Sequence, residues 1–155
     1  MTIQVFIQRH FPESNVDELK RIVSVSGGSI GNALRLLESD GLEIYRSVNS
    51  LLSNLPNMNI PMLHDLGDRV AKDATGETFH KLLLILNHWL TETAKNKAIL
   101  GASYDQDVTK WTDIWEETNN LFRRAENVNL DRKQITLNAF LEVAAVAQDR
   151  SARTY

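Results

Sequence analysis

Apolar residues recur at spacings of three and four along almost the whole chain, which is the period of helices with one buried face. A short first helix is expected over Ile3 to Arg9, ended by "HFPES". In "NVDE", Asn15 is placed to cap a second helix, with Glu18 reaching back to it as in a capping box. Val16, Leu19, Ile22 and Val23 form its stripe. Gly27 and Gly28 stop that helix, because glycine accepts the left-handed backbone that a helix C-terminus needs. Ser29 is the next cap, and Ile30, Ala33, Leu34 and Leu37 are expected to face inward. Asp40-Gly41 reads as a break.

Beyond Leu42 the helices lengthen. Ile44, Val48, Leu51 and Leu55 line one face up to Pro56. Pro61 suits a first helical position, and Met62, Leu66 and Val70 follow it. "ATGET" breaks the pattern again. From Phe79 to Leu90 apolar residues appear on nearly every side, as expected for the middle of a bundle. "LGASYDQD" is read as a loop. Val108, Trp111, Ile114, Trp115, Leu121 and Phe122 share one broad face, and a last helix is expected from Leu130 to Gln148. The pattern predicts an all-α protein: a short helical piece over 1–41, a bundle of about five helices over 42–150, and a tail over 151–155.

Composition narrows the function. The 155 residues carry 43% hydrophobic and 24% charged side chains, ordinary for a folded domain. There is no cysteine, so disulfides, thiolate metal sites and thiol nucleophiles are excluded within this sequence. The formal net charge of −3 argues against a free-standing, nonspecific nucleic-acid binder, which is usually basic. No run approaches the ~18 apolar residues of a membrane span. The segment "MTIQVFIQRHF" has neither a basic leader region nor a small-residue cleavage site, so no signal peptide is read there.

The most informative stretch is "SGGSIGNALRLLE", Ser26 to Glu38. It suggests a phosphate-binding loop, but a P-loop requires G-x-x-x-x-G-K-[ST], with a lysine to neutralise the phosphate. Here Asn32 and Ala33 follow the last glycine, and no strand precedes the first. Local physics is satisfied by one helix stopping and another starting.

The frame Gly28, Ser29, Ile30, Gly31, Asn32, Ala33, Leu34 nevertheless resembles the sensor-2 segment in the lid of clamp-loader AAA+ proteins. In the ATP-hydrolysing members the pattern is close to Gly-Ser-x-Arg-x-Ala-Leu, and the arginine points at the nucleotide. Gly31 stands at the arginine position here. That departure is typical of the delta-prime subunits of bacterial DNA polymerase III, which do not turn over ATP. "VDELKRIVSVSGGSIGNALRLLESDGLEIYRSVNSLL" is similar to the end of a delta-prime lid entering its collar. "NLDRKQITLNAFLEVAAVA" is similar to the C-terminal helix of the alphaproteobacterial type. Pro56 to Glu126 matches by helical pattern alone.

The resemblance implies a C-terminal fragment, the end of a lid plus a collar, without the nucleotide module. It implies a non-catalytic, cytoplasmic bacterial protein without cofactor or metal. Its partners would be the gamma/tau and delta clamp-loader subunits in a hetero-oligomeric ring. The sliding clamp and primed DNA would be reached only through the whole complex. The last helix carries two apolar stripes. Leu130, Leu137, Phe140, Leu141 and Ala144 can face the domain's own core. Ile135, Ala139, Val143 and Val146 lie nearly opposite and need another cover. A neighbouring subunit or a third layer of the same bundle would serve, and the resemblance favours the subunit.

Other candidate chemistry is sparse. Glu77 and His80 have the i, i+3 spacing of half a di-iron site, but no second Glu-x-x-His occurs. His80 and His88 could share a face. His64 with Asp65 and Asp68 reads as a solvated face. Trp89, Trp111 and Trp115 read as core, since a base-stacking platform normally comes with a basic groove. Arg123-Arg124 and Arg132-Lys133 make the last third locally basic. A small helical-bundle enzyme or metal protein using Glu77, His80 and His88 is the alternative from another class. A generic helical interaction module is a further one.

Overall fold

The computed structural model describes residues 3–13, 15–38, 40–100, 105–127 and 130–152. All regular structure among them is helical: α1 (Ile3–His10), α2 (Val16–Val25), α3 (Ile30–Leu37), α4 (Gly41–Ser53), α5 (Ile60–Lys72), α6 (Glu77–Leu100), α7 (Asp105–Asn127) and α8 (Arg132–Ala152). The last helix runs past Gln148 and takes in two residues expected to be tail. The expected loop Leu100–Asp107 lies partly outside the described residues; Leu100 ends α6 and Asp105 begins α7.

Helix starts follow local chemistry. Asn15 Oδ1 accepts from the Asp17 amide at 2.9 Å. The reciprocal half of the expected capping box is absent, because Glu18 instead takes a two-pronged bond from Arg46 of α4, at 2.8 and 3.1 Å. Asn59 caps α5, accepting from the Met62 amide at 3.1 Å, with Pro61 in the first turn. Asp73 ends α5 and starts α6. Its carboxylate accepts from the Thr75 hydroxyl (2.6 Å) and amide (3.0 Å) and from the Thr78 amide and hydroxyl (both 2.8 Å). Those donors hold the Asp73 carboxyl far below the usual carboxylate range.

α6 is the centre of the assembly, packing against α2, α4, α5 and α7. Phe79, Leu82, Ile85, Leu86 and Leu90 are buried along it. Phe79 stacks on Phe122 of α7 with centroids 4.7 Å apart, and Trp89 meets Trp111 edge to face at 5.6 Å. Each such fully buried side chain contributes about 1.5–3 kcal/mol relative to exposure. α2 and α3 supply Leu19, Ile22, Ala33 and Leu36 to the same apolar cluster, which continues across Asp40-Gly41. Two expected inward positions point outward: Val16 is 43% exposed and Ile30 is 47% exposed. Val25 and Leu36 take up inward positions instead.

α8 corrects the expected interface. It lies against both α5 and α7, so one bundle covers more than one of its faces. Ile135, Ala139 and Val143, expected on a free stripe, are 5%, 0% and 0% exposed, and Val146 is half-buried against the same core. From the stripe expected inside, Leu137 and Phe140 are buried, whereas Leu130 and Leu141 are exposed. Spacing alone showed two apolar faces; the cover for the second comes from the chain's own third layer.

This assignment separates the two faces of α8 by the mutations they tolerate. Val143→Glu buries an unpaired carboxylate and is expected to cost several kcal/mol, about 3 or more, a large fraction of the stability of an ordinary domain. Leu141→Glu, on the outward face, should change stability by about 0.5 kcal/mol or less. Thermal unfolding of the two variants checks the orientation of α8; a Val143→Glu protein as stable as the parent would refute it.

Candidate functional site

The sensor-2-like segment forms a helix–turn–helix corner. α2 ends with the Ser26 amide bonded to the Ile22 carbonyl at 2.9 Å and the Ser26 hydroxyl bonded to the Val23 carbonyl at 2.6 Å. Gly27 and Gly28 then take φ of +60° and +84°, a region L side chains enter at a cost. Ser29 turns the chain into α3, its hydroxyl accepting from the Asn32 amide at 3.2 Å. Ala33 is fully buried and Leu34 half-buried. Gly31 is exposed on the first turn of α3, and a Cβ there would meet only the Ser29 hydroxyl, at 3.8 Å.

Gly27 and Asn32 border a cleft of about 420 Å³ against α6, opposite Asn87, His88, Thr91 and Lys95. A smaller cavity of about 120 Å³ adjoins it between α2, α4 and α6, with Tyr45 and Trp89 on its walls and Arg21 and Asn49 alongside. His88 borders both. Burial pushes the His88 imidazole below its ordinary pKa, opposed by Glu92 and reinforced by Lys95. Burial likewise raises the Tyr45 phenol, opposed by Arg21.

The other candidates separate. Glu77 pairs with Arg35 of α3 at 3.1 Å rather than with a second carboxylate. His80 Nδ1 stands 4.0 Å from Glu126 of α7. His88 lies two turns further along α6, and no group of three or more potential metal ligands occurs among the described residues. His64 and Asp65 are exposed, and Asp68 bonds Lys133. Arg132 bonds the Asp73 carbonyl at 3.3 Å and lies 6.0 Å over Phe79, so this half of the basic segment is tied into the fold. Arg123 and Arg124 remain exposed. Trp111 is buried in the core, as expected; Trp89 and Trp115 are half-buried against it, and the Trp115 indole Nε1, like the Thr118 hydroxyl, is buried without a hydrogen-bond partner.

Sequence reading missed one polar cluster. Lys81 sits in the apolar stretch of α6 and is only 4% exposed. Its ammonium donates to the Glu38 carbonyl at the end of α3 (3.2 Å) and to Asp40 Oδ1 (3.4 Å). Asp40 Oδ2 accepts from Arg69 of α5 at 3.2 Å, and Arg69 also reaches Glu43 of α4 at 3.2 Å. The available signal was a single lysine in "FHKLLLIL", a run with no other full charge.

Comparisons with protein families, with curated proteins and with solved structures gave no significant match. No described helix is long and apolar enough to cross a membrane.

Two outcomes are expected at this corner. Gly28→Val forces a β-branched residue to positive φ and should cost about 1 kcal/mol or more. Gly31→Ala should stabilise by up to about 1 kcal/mol, because a helical glycine is replaced where space is open. Denaturant midpoints read both.

His88 gives a pH signature. Its folded-state pKa lies below the unfolded value of about 6.5, so the unfolded chain takes up the proton first as pH falls. The contribution is fully present above that value and is lost as pH falls through the folded-state pKa. The drop in melting temperature from pH 8 to pH 5 should therefore be smaller in His88→Gln than in the parent protein.

Proposed function

We propose that the chain is a non-catalytic assembly module, the end of a lid plus the collar of a bacterial clamp-loader delta-prime subunit. The observation that carries this reading is the corner at Gly28 to Leu34. A sensor-2-like frame occupies a helix–turn–helix, the arginine position is the exposed Gly31, and five further helices follow. An arginine-free frame removes the group that would contact a nucleotide phosphate, while the caps and glycines that shape the corner are retained. In this reading the bundle holds neighbouring gamma/tau and delta subunits in a ring, in the bacterial cytoplasm. The clamp and primed DNA are engaged only by the complete complex. The ring contact does not run through Ile135, Ala139 or Val143, which are buried within the chain.

Pull-down with purified gamma/tau and delta subunits tests the proposal. Capture dependent on a folded bundle is expected. No capture by either subunit would overturn it and leave a helical interaction module of another kind. ATP-Mg titration followed by tryptophan fluorescence or calorimetry should give no saturable binding in the micromolar range. Micromolar affinity would contradict a collar without a nucleotide site.

A further inference from the structure

α2, α4 and α6 leave a hollow of about 120 Å³ between them. Val25 of α2, Leu52 of α4 and Ile85 of α6 give it a buried apolar lining, and Tyr45 and Trp89 add two aromatic rings. An apolar cavity of about 150 Å³ accepts benzene, so this hollow is on the scale of one ring. It adjoins the cleft of about 420 Å³, with His88 on the border of both. The polar side chains around it are not used by the fold. Asn49 and His88, both half-buried, make no side-chain hydrogen bond among the described residues, and Arg21 at the exposed rim makes no ion pair there. Their neighbours differ. Asn87 accepts from Asn119 at 2.9 Å, the Thr91 hydroxyl bonds the Asn87 carbonyl at 2.8 Å, and Glu18 takes both prongs of Arg46. Polar groups withdrawn from bulk water normally have partners. Two that lack them, beside a cation and an aromatic-lined hollow, have the makings of a ligand site.

We infer that this hollow binds a small aromatic carboxylate, with the ring between Tyr45 and Trp89 and the carboxylate on Arg21 and Asn49. Charge decides the class of acid. Arg21 is the cation on the walls, and burial holds the His88 imidazole below its ordinary pKa, so it is neutral at about pH 7. A guanidinium and a primary amide together offer N–H donors to both oxygens of one carboxylate. Glu18 and Glu92, the carboxylates whose charge reaches Tyr45 and His88, already hold Arg46 and Lys95. They leave Arg21 open to a monoanion and supply no second cation for a phosphate dianion. The apolar lining adds the second requirement. A bare anion gains nothing from Val25, Leu52 and Ile85, whereas a ring shields them from water. A ligand seated there touches α2, α4 and α6 at once. Such a site stands without the clamp-loader reading and goes beyond it.

Benzoate is the probe, and the indole N–H signals of the three tryptophans report its binding by NMR of the full chain. Trp89 lines the hollow, so its signal should move saturably, with a Kd of about 1 mM or tighter, while that of Trp115 stays in place. Arg21→Gln, at an exposed position, should weaken benzoate about tenfold and leave the uncharged benzyl alcohol within about twofold of its affinity for the parent. Asn49→Phe fills the hollow and should abolish benzoate binding with helical circular dichroism unchanged; should that variant unfold, Arg21→Gln carries the test. Trp89 shifts that fail to saturate, an unchanged benzoate affinity in Arg21→Gln, or full binding to a folded Asn49→Phe protein would overturn the site. Inorganic phosphate that competes with benzoate on equal terms would show that the anion alone is recognised, and would overturn the aromatic assignment.

Discussion

The structure depends on covering α6. Its segment from Phe79 to Leu90 has apolar side chains in too many directions for one neighbour to shield. α2, α4, α5 and α7 are each in contact with it. Its aromatic and aliphatic residues meet the broad face of α7 at Phe122 and Trp111. α8 closes the far side by lying on α5 and α7. The architecture follows from a helix that cannot meet water over its first half, and from partners long enough to surround it.

The helix content was legible because local chemistry and periodicity agree. Asn15, Ser29 and Asn59 each cap the helix that follows them, and the paired glycines end α2 with positive φ. The facing of α8 was not legible. A residue such as Val143 has the same spacing whether a second subunit or a third layer of the same chain covers it, and long-range contacts decide between them. The capping box failed for a related reason: Glu18 had a distant partner in Arg46, 28 positions away, that no local pattern reveals. The candidate site was partly legible. The glycine corner could be read from its sequence, whereas the cluster around Lys81 joins residues up to 43 positions apart.

The glycine corner and the ion cluster do different physical work at the two ends of α3. At the start, backbone conformation sets the direction of the helix, and Ser29 satisfies an amide that would otherwise lack a partner. At the end, charge from α5 and α6 reaches the chain after its last turn. A short helix of eight residues gains little stability of its own. It is placed by what holds its two termini.

Asp73 has a consequence for how this chain can vary. One carboxylate accepts from the amides and hydroxyls of both Thr75 and Thr78, while the same residue's carbonyl accepts from Arg132 of α8. The spacing from Asp73 to Thr78 is therefore fixed by hydrogen bonding at both ends. Most surface connections absorb insertions and deletions readily. This one does not: adding or removing a residue between positions 73 and 78 would break that set of bonds and uncap the central helix.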